Sequence, residues 1–282
     1  MWFFTRHRSD ADTQEAATMR GTPSPAELQD IIVTVRNMVQ DEQSQGLKCS
    51  TTDEFLLRFI KASHYNEQTS FHLIKRYFKA KIENPEAFIV QSPAENIKML
   101  QRKDLGLPLK DRDKCGRRVM NIKFGKLDPG KESWTSVIQS TMMILEAFSL
   151  EEDVQDNGVA LILDCTHFSL KIMKWATPHK IRTVLGFFQD CIPLRFEAIH
   201  IVNYPYIFNV FASALKPFMN EETKRKLIWH SDLSSIEQYI EKVSLPGDLG
   251  GQLKPEEVED WYKMVLEKEE IFTEFRKMGY SQ

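Results

Sequence analysis

The amino-acid sequence predicts an α/β fold in two parts, an all-helical N-terminal unit followed by a mainly parallel sheet with helices. Three observations carry this. Between Pro25 and about Phe88, apolar residues recur at helical spacing. Beyond Arg117, short runs that are apolar almost throughout alternate with helical stretches, the pattern of strands buried on both faces and joined by right-handed crossovers. Near residue 210 comes a helix whose circumference is mostly apolar, more than one packing partner can cover.

Residues 1–24 are polar after a short aromatic start and close on "GTPSP", so a loosely ordered arm is expected. "PAELQDIIVTVRNMVQDEQ" predicts a first helix, with Ser24 as cap and Pro25 in its first turn. "TTDEFLLRFIKAS" predicts a second, capped by Thr51 or Thr52, with Phe55, Leu56, Phe59 and Ile60 on one face. A third, "NEQTSFHLIKRYFKAKIENP", turns Phe71, Ile74, Tyr77 and Phe78 inward and ends before Pro85. Strands are expected at "RRVMNIKFG", "GVALILDC", "EAIHIVNY" and "KLIWHSD", with helices at "WTSVIQSTMMILEAFSL" and "PHKIRTVLGFFQDC" between the first three. "GDLGG", residues 247–251, reads as a turn needing positive φ. The expected boundaries are an arm at 1–24, a helical unit at 25–95, an α/β domain at 96–255 and a C-terminal helical segment at 256–282.

A chain of 282 residues that is 42% hydrophobic and 27% charged has room for a substantial core. Its formal charge of -3 gives no global attraction to nucleic acid, so contact with an anionic surface must come from a local patch such as Lys224, Arg225 and Lys226. Cys49, Cys115, Cys165 and Cys191 stand far apart without metal-ligand spacing, which suits buried free thiols in a reducing compartment. No run approaches a membrane span, and a cytoplasmic protein that meets membranes only peripherally is expected.

Neither a GxGxxG after a strand nor a P-loop nor a GxSxG elbow occurs, and no cofactor, metal or enzymatic activity is expected. Asp164, His200 and His230 lie in strands and are read either as an acid/base constellation or as satisfied core groups.

The helix at Asn203 to Lys226 is the feature without an ordinary account. Ile207, Val210, Phe211, Ala214, Leu215 and Phe218 form its stripe, and Tyr204, Tyr206 and Phe208 widen it. Two readings stand: a helix buried between layers, or a lid that is apolar inside toward a greasy ligand and outside toward a membrane.

Several ordered stretches together resemble the CRAL-TRIO family of lipid-binding proteins, in the branch of alpha-tocopherol transfer protein, cellular retinaldehyde-binding protein and the clavesins. "DEFLLRFIKASHYN" resembles the family's helical signature, departing at Ser63 and Asn66; "DRDKCGRRV", "GVALILDC", "IPLRFEAIHIVNYP", "ALKPFMNEETKRKLIWH" and "LPGDLGG" match the α/β half. The resemblance covers residues 25 to about 255. It implies a CRAL-TRIO N-terminal helical subdomain and a lipid-binding domain that encloses one hydrophobic ligand, such as a tocopherol or retinoid, behind a movable gate over Tyr204, Ile207, Phe208, Val210, Phe211, Leu215 and Phe218. It places Ile138, Thr141, Leu145, Val159, Leu163, Val184, Phe187, Phe188, Leu194, Phe196 and Ile199 around the cavity. Thr141 is either the one polar anchor or a hydroxyl bonded back to its own helix. The resemblance also implies a phosphoinositide headgroup held by Lys61, Arg195 and Lys226, assisted by Lys224 and Arg225, with Glu197 and Glu222 standing where the family has basic residues. The implied function is lipid transfer with release at phosphoinositide-containing membranes; the alternative is a membrane-trafficking adaptor that reads phosphoinositides around a structural lipid.

Overall fold

Ser24 opens the first helix through a capping box: its side chain accepts from the Glu27 amide while the Glu27 carboxylate takes the Ser24 amide at 2.8 Å. The computed structural model describes residues 21–88, 101–254 and 260–280. The arm expected at residues 1–24 therefore lies outside the described residues except for its last four. Residues 89–100 and 255–259, which fall at two of the expected boundaries, also lie outside them.

Helices α1 (Pro25–Gln43), α2 (Asp53–Ala62) and α3 (Glu67–Glu83) pack around Val35, Val39, Leu56, Phe59, Ile74 and Phe78. Thr52 is the cap of α2. Asn66, one of the departures from the family signature, caps α3 by accepting from the Thr69 amide at 2.8 Å. Phe71, expected inward, is only half-buried. A short α4 (Pro85–Phe88) follows. Two elements were not legible in the sequence: Leu47–Lys48 (β1) pairs antiparallel with Gly279–Tyr280 (β7), so the C-terminal segment is not helical to its end.

Five strands form the sheet in chain order: β2 (Gly106–Arg112), β3 (Arg118–Lys123), β4 (Val159–Asp164), β5 (Phe196–Val202) and β6 (Leu227–Trp229). Strands β3 to β6 are parallel, as predicted, and β2, unpredicted, is an antiparallel edge. One face carries α5 (Trp134–Ser149), α6 (Glu152–Asn157), α7 (Leu170–Trp175), α8 (Pro178–Gly186) and α9 (Tyr206–Leu215) in the crossovers. The other face, with Val119, Ala160, Ile162, Ala198 and Val202, is covered by the turns that carry Ile236, Ile240, Leu245 and Leu249. In "GDLGG", Gly250 has φ +79, and a Cβ on Gly251 would stand 1.9 Å from the Leu245 carbonyl oxygen. Three further helices complete the described chain: α10 (Glu221–Arg225), α11 (Trp261–Leu266) and α12 (Glu269–Arg276).

Candidate functional site

Strand alternation puts Val159, Leu161 and Leu163 on the helix-bearing face, beside Met120 and Ile122 of β3 and Phe196, Ile199 and Ile201 of β5. Of the residues assigned to a cavity, Ile138, Leu145, Val159, Val184, Phe187, Phe188, Leu194, Phe196 and Ile199 fall in one apolar cluster, and Leu163 in its neighbour beneath α9. Ile199 and Trp134 border both clusters. Ile122, Leu163 and Ile199 stay half-buried although they sit on inner strands, whereas Ala160, Ile162 and Ala198 on the other face are sealed. The strand residues that keep some accessibility therefore lie on the helix-bearing face, where the two clusters meet. The Thr141 hydroxyl donates to the Val137 carbonyl of its own helix at 2.8 Å, leaving its lone pairs to accept.

Helix α9 packs on the cluster that holds Leu163. Phe208, Phe211, Ala212 and Leu215 are buried against Phe168, Ile172, Cys165 and Ile201, with Phe168 5.1 Å from both the Phe208 and Phe211 rings. Tyr204 and Phe208 also meet the Trp229 ring, at 5.1 and 6.1 Å. The opposite side is open: Tyr206 is 83% and Val210 50% exposed, with Asn209, Ser213, Ala214 and Lys216 beside them. Ile207 and Phe218 are half-buried. The helix is therefore not buried between two layers. Its entry is a sharp backbone turn at Asn203, which has φ +52 and whose side-chain Nδ2 donates to the Asp164 carboxylate at 3.1 Å.

The basic positions do converge, but not as free charges. Arg195 donates to the Lys61 carbonyl at 2.6 Å and pairs with Glu197 at 3.0 Å; Lys61 pairs with Asp156 at 2.6 Å. Lys226 meets Glu222 at 2.6 Å and Glu197 at 3.3 Å. A register shift opposite Val159 leaves Glu197 without a strand partner and aims it into this cluster. Burial raises the Glu222 carboxyl, and the hydrogen bond and charge of Lys226 outweigh that, holding it below its ordinary value. His64 joins the group: burial, then the Arg195 charge, push its pKa down. Lys224 pairs with Glu221 on α10, away from the other three, and Arg225 is exposed. Asp156 and His64 were not legible as members, because they meet the cluster only through the fold.

The acid/base candidates are core groups: Asp164 and His230 are hydrogen-bonded, and His200 is bonded through Nδ1 while its buried Nε2 has no partner among the described residues. Asp164 accepts from the Thr166 amide and hydroxyl and from Asn203. Ser235 donates to the Asp232 carbonyl at 2.6 Å, so it accepts from His230 Nδ1, and His230 Nε2 in turn accepts from His200 Nδ1 at 3.0 Å. This chain of neutral imidazoles lies on the sheet face opposite the helix-bearing one. Burial first, then His230, push the His200 pKa down to about 4. Among the described residues no cluster of metal-binding side chains occurs and no helix is long and apolar enough to cross a membrane. All four cysteines are free; Cys115, expected buried, is exposed.

The CRAL/TRIO domain matches residues 102–251, more than half of the chain. The chain belongs to the CRAL/TRIO family. Lipid binding in general is what this membership carries. Among curated relatives of this CRAL/TRIO chain, Clavesin-1 of Xenopus laevis is 28% identical over 257 residues, which cover 90% of this chain and 77% of that one. Clavesin-2 of Homo sapiens is 28% identical over 260 residues, 92% of this chain and 79% of that one. The crystal structure of Sfh5 superposes with a TM-score of 0.56 at 15% identity, covering 89% of this chain and 99% of that one, and supports the CRAL/TRIO fold.

Proposed function

We propose that this CRAL/TRIO chain is a non-enzymatic intracellular carrier that encloses one small hydrophobic lipid, a tocopherol, retinoid or similar molecule, and hands it over at a phosphoinositide-containing membrane. The observation that carries the reading is the two-sided gate: α9 buries Phe208, Phe211 and Leu215 in the cluster that holds Leu163 while Tyr206 and Val210 face outward. An apolar outer face on a helix that also closes an apolar interior suits a lid that swings into a bilayer.

Energetics agree with carriage. Enclosing about 400–500 Å² of an acyl or isoprenoid chain contributes roughly 10–12 kcal/mol before association costs, at about 25 cal/mol per Å². Such a ligand leaves for water very slowly, so release requires a membrane acceptor and an open gate. The cations at Lys61, Arg195 and Lys226 supply the headgroup contact once Glu197 and Glu222 are displaced.

Mass spectrometry of lipids retained after exposure to a whole-cell lipid extract tests this directly. One enriched isoprenoid or retinoid near one-to-one stoichiometry is expected. A mixture of common phospholipids would instead support the adaptor reading, with a structural lipid in the cavity.

A further inference from the structure

One irregular turn joins α8 to β5. Residues Phe187–Cys191 form a π-turn, closed by the Ile192 amide bonding to the Phe187 carbonyl at 3.1 Å, five residues back. The extra residue in such a turn changes where successive side chains point. Phe187 is buried and meets Phe88 at 5.2 Å, and Phe188 stacks 4.8 Å from Phe196, so two neighbouring rings both serve the apolar interior. Gln189, next in line, reaches the segment that leaves α9. Its Nε2 donates to the Phe218 carbonyl at 3.2 Å, and its Oε1 accepts from the Asn220 amide at 2.7 Å.

That pairing has the form of one rung of a β-ladder, made by a side-chain amide that supplies both donor and acceptor. It grips the backbone rather than a side chain, so it holds the position of the segment whatever residues the gate carries. The Arg182 guanidinium of α8 lies 5.5 Å from the Phe218 ring and adds a contact to the same segment. On its other side the turn is tethered to α3 by Asp190 and Arg76, 3.7 Å apart. Helix α8, which leads into the turn, has no fully buried residue, whereas the turn itself is anchored in the core by Phe187.

From this we infer that Gln189 is the clasp of the gate: its paired hydrogen bonds hold the C-terminal end of α9 down, and a ligand pressing on Phe187 and Phe188 reads directly onto them. Gln189 is a positioning residue that sets the rate at which the gate opens, and the inference rests on the carrier reading for what passes through it. Losing both hydrogen bonds corresponds to a shift of about tenfold or more in an opening equilibrium.

The experiment compares wild type, Gln189→Met and Gln189→Glu. Methionine keeps the volume and removes both bonds; glutamate keeps the acceptor for Asn220 and turns an oxygen toward the Phe218 carbonyl. Amide hydrogen exchange of residues 203–220 is measured on ligand-free protein, and release of a pyrene-labelled isoprenoid alcohol into phosphatidylcholine vesicles on loaded protein. Opening and release are expected to rise from wild type to Gln189→Glu to Gln189→Met, by about tenfold or more overall, with the thermal midpoint nearly constant. Equal rates in all three proteins overturn the clasp, as does faster exchange spread over the whole chain, which would mark Gln189 as a folding residue. If wild type does not take up the probe, the carrier reading fails, and the exchange data alone decide whether the clasp exists.

Discussion

The Lys226 ammonium lies 2.6 Å from the Glu222 carboxylate, four residues before it in the chain. The same ammonium is 3.3 Å from Glu197, so two carboxylates share one of the cations that the family resemblance assigns to a headgroup. A lipid phosphate must compete with them. Glu197→Gln combined with Glu222→Gln should strengthen binding to vesicles containing bisphosphorylated phosphoinositide by roughly tenfold, on the scale of about 1 kcal/mol for each cation near an anionic leaflet. Sedimentation with such vesicles measures it, and unchanged binding would remove the carboxylates as competitors.

The buried His200 and His230 pair ties stability to pH. The His200 pKa is held down to about 4 against an ordinary value near 6.5, so the unfolded chain takes up the proton first as pH falls. The stabilising contribution is complete above about pH 6.5 and is lost progressively toward pH 4, on the order of 3 kcal/mol in all. Urea unfolding between pH 7 and pH 5 should show a declining midpoint, and His200→Gln should flatten the slope. A flat wild-type profile would contradict the assignment of a neutral buried pair.

Arg58 is a fixed strut between the helical unit and α5. It donates to Glu146 at 2.7 Å and to Ser149, and its guanidinium lies 4.6 Å from the Phe275 ring. Arg58→Ala leaves Glu146 facing a hole and should destabilise by about 3–5 kcal/mol, the usual consequence of removing one partner of a buried ion pair. Denaturant unfolding checks this; a loss under about 1 kcal/mol would mean that water takes over the pairing.

Outward-facing Tyr206 and Val210 should matter for membranes and not for cargo. Tyr206→Glu with Val210→Glu is expected to slow ligand transfer to vesicles by tenfold or more, since each apolar side chain contributes roughly 1–2 kcal/mol on burial. Equilibrium ligand affinity measured without vesicles should stay the same. Equal loss of both would show that the pair supports the closed gate from outside.

Thr141→Val separates the two roles of that hydroxyl. Stability should change by less than about 1 kcal/mol, because a hydroxyl bonded back to its own helix contributes little. Affinity for an isoprenoid alcohol should fall, and affinity for the matching hydrocarbon should not. An equal effect on both ligands would leave Thr141 only its bond to Val137.

Periodicity and caps made the helical unit and the parallel strands legible before any coordinates, as Ser24, Thr52 and the alternation around Leu161 illustrate. The edge strand at Gly106–Arg112 was hidden because it contains Pro108, Lys110 and Asp111, a composition that reads as loop and suits an unpaired edge. The apolar character of α9 was visible in the sequence, yet which side faces inward depends on the turn at Asn203. Charge pairing was the least legible. Lys61, Asp156, Glu197 and Lys226 come from four separate elements, and nothing in their local sequence states that they meet. Gln189 escaped for a related reason: a glutamine beside an aspartate in "FFQDC" looks like solvent exposure until its two backbone partners are seen.

The pairing of Leu47–Lys48 with Gly279–Tyr280 has a consequence for how the chain matures. Tyr280 also donates its hydroxyl to Glu42 at 2.8 Å, and Phe275 packs on Phe55 at 6.0 Å, so residues 275–280 complete a hydrophobic core begun some two hundred residues earlier. During synthesis the helical unit emerges from the ribosome first but lacks this closing piece until the α/β domain has been made. The earliest part of the chain is then among the last to become fully stable, and nascent chains arrested before residue 275 should present an unfinished apolar surface to chaperones.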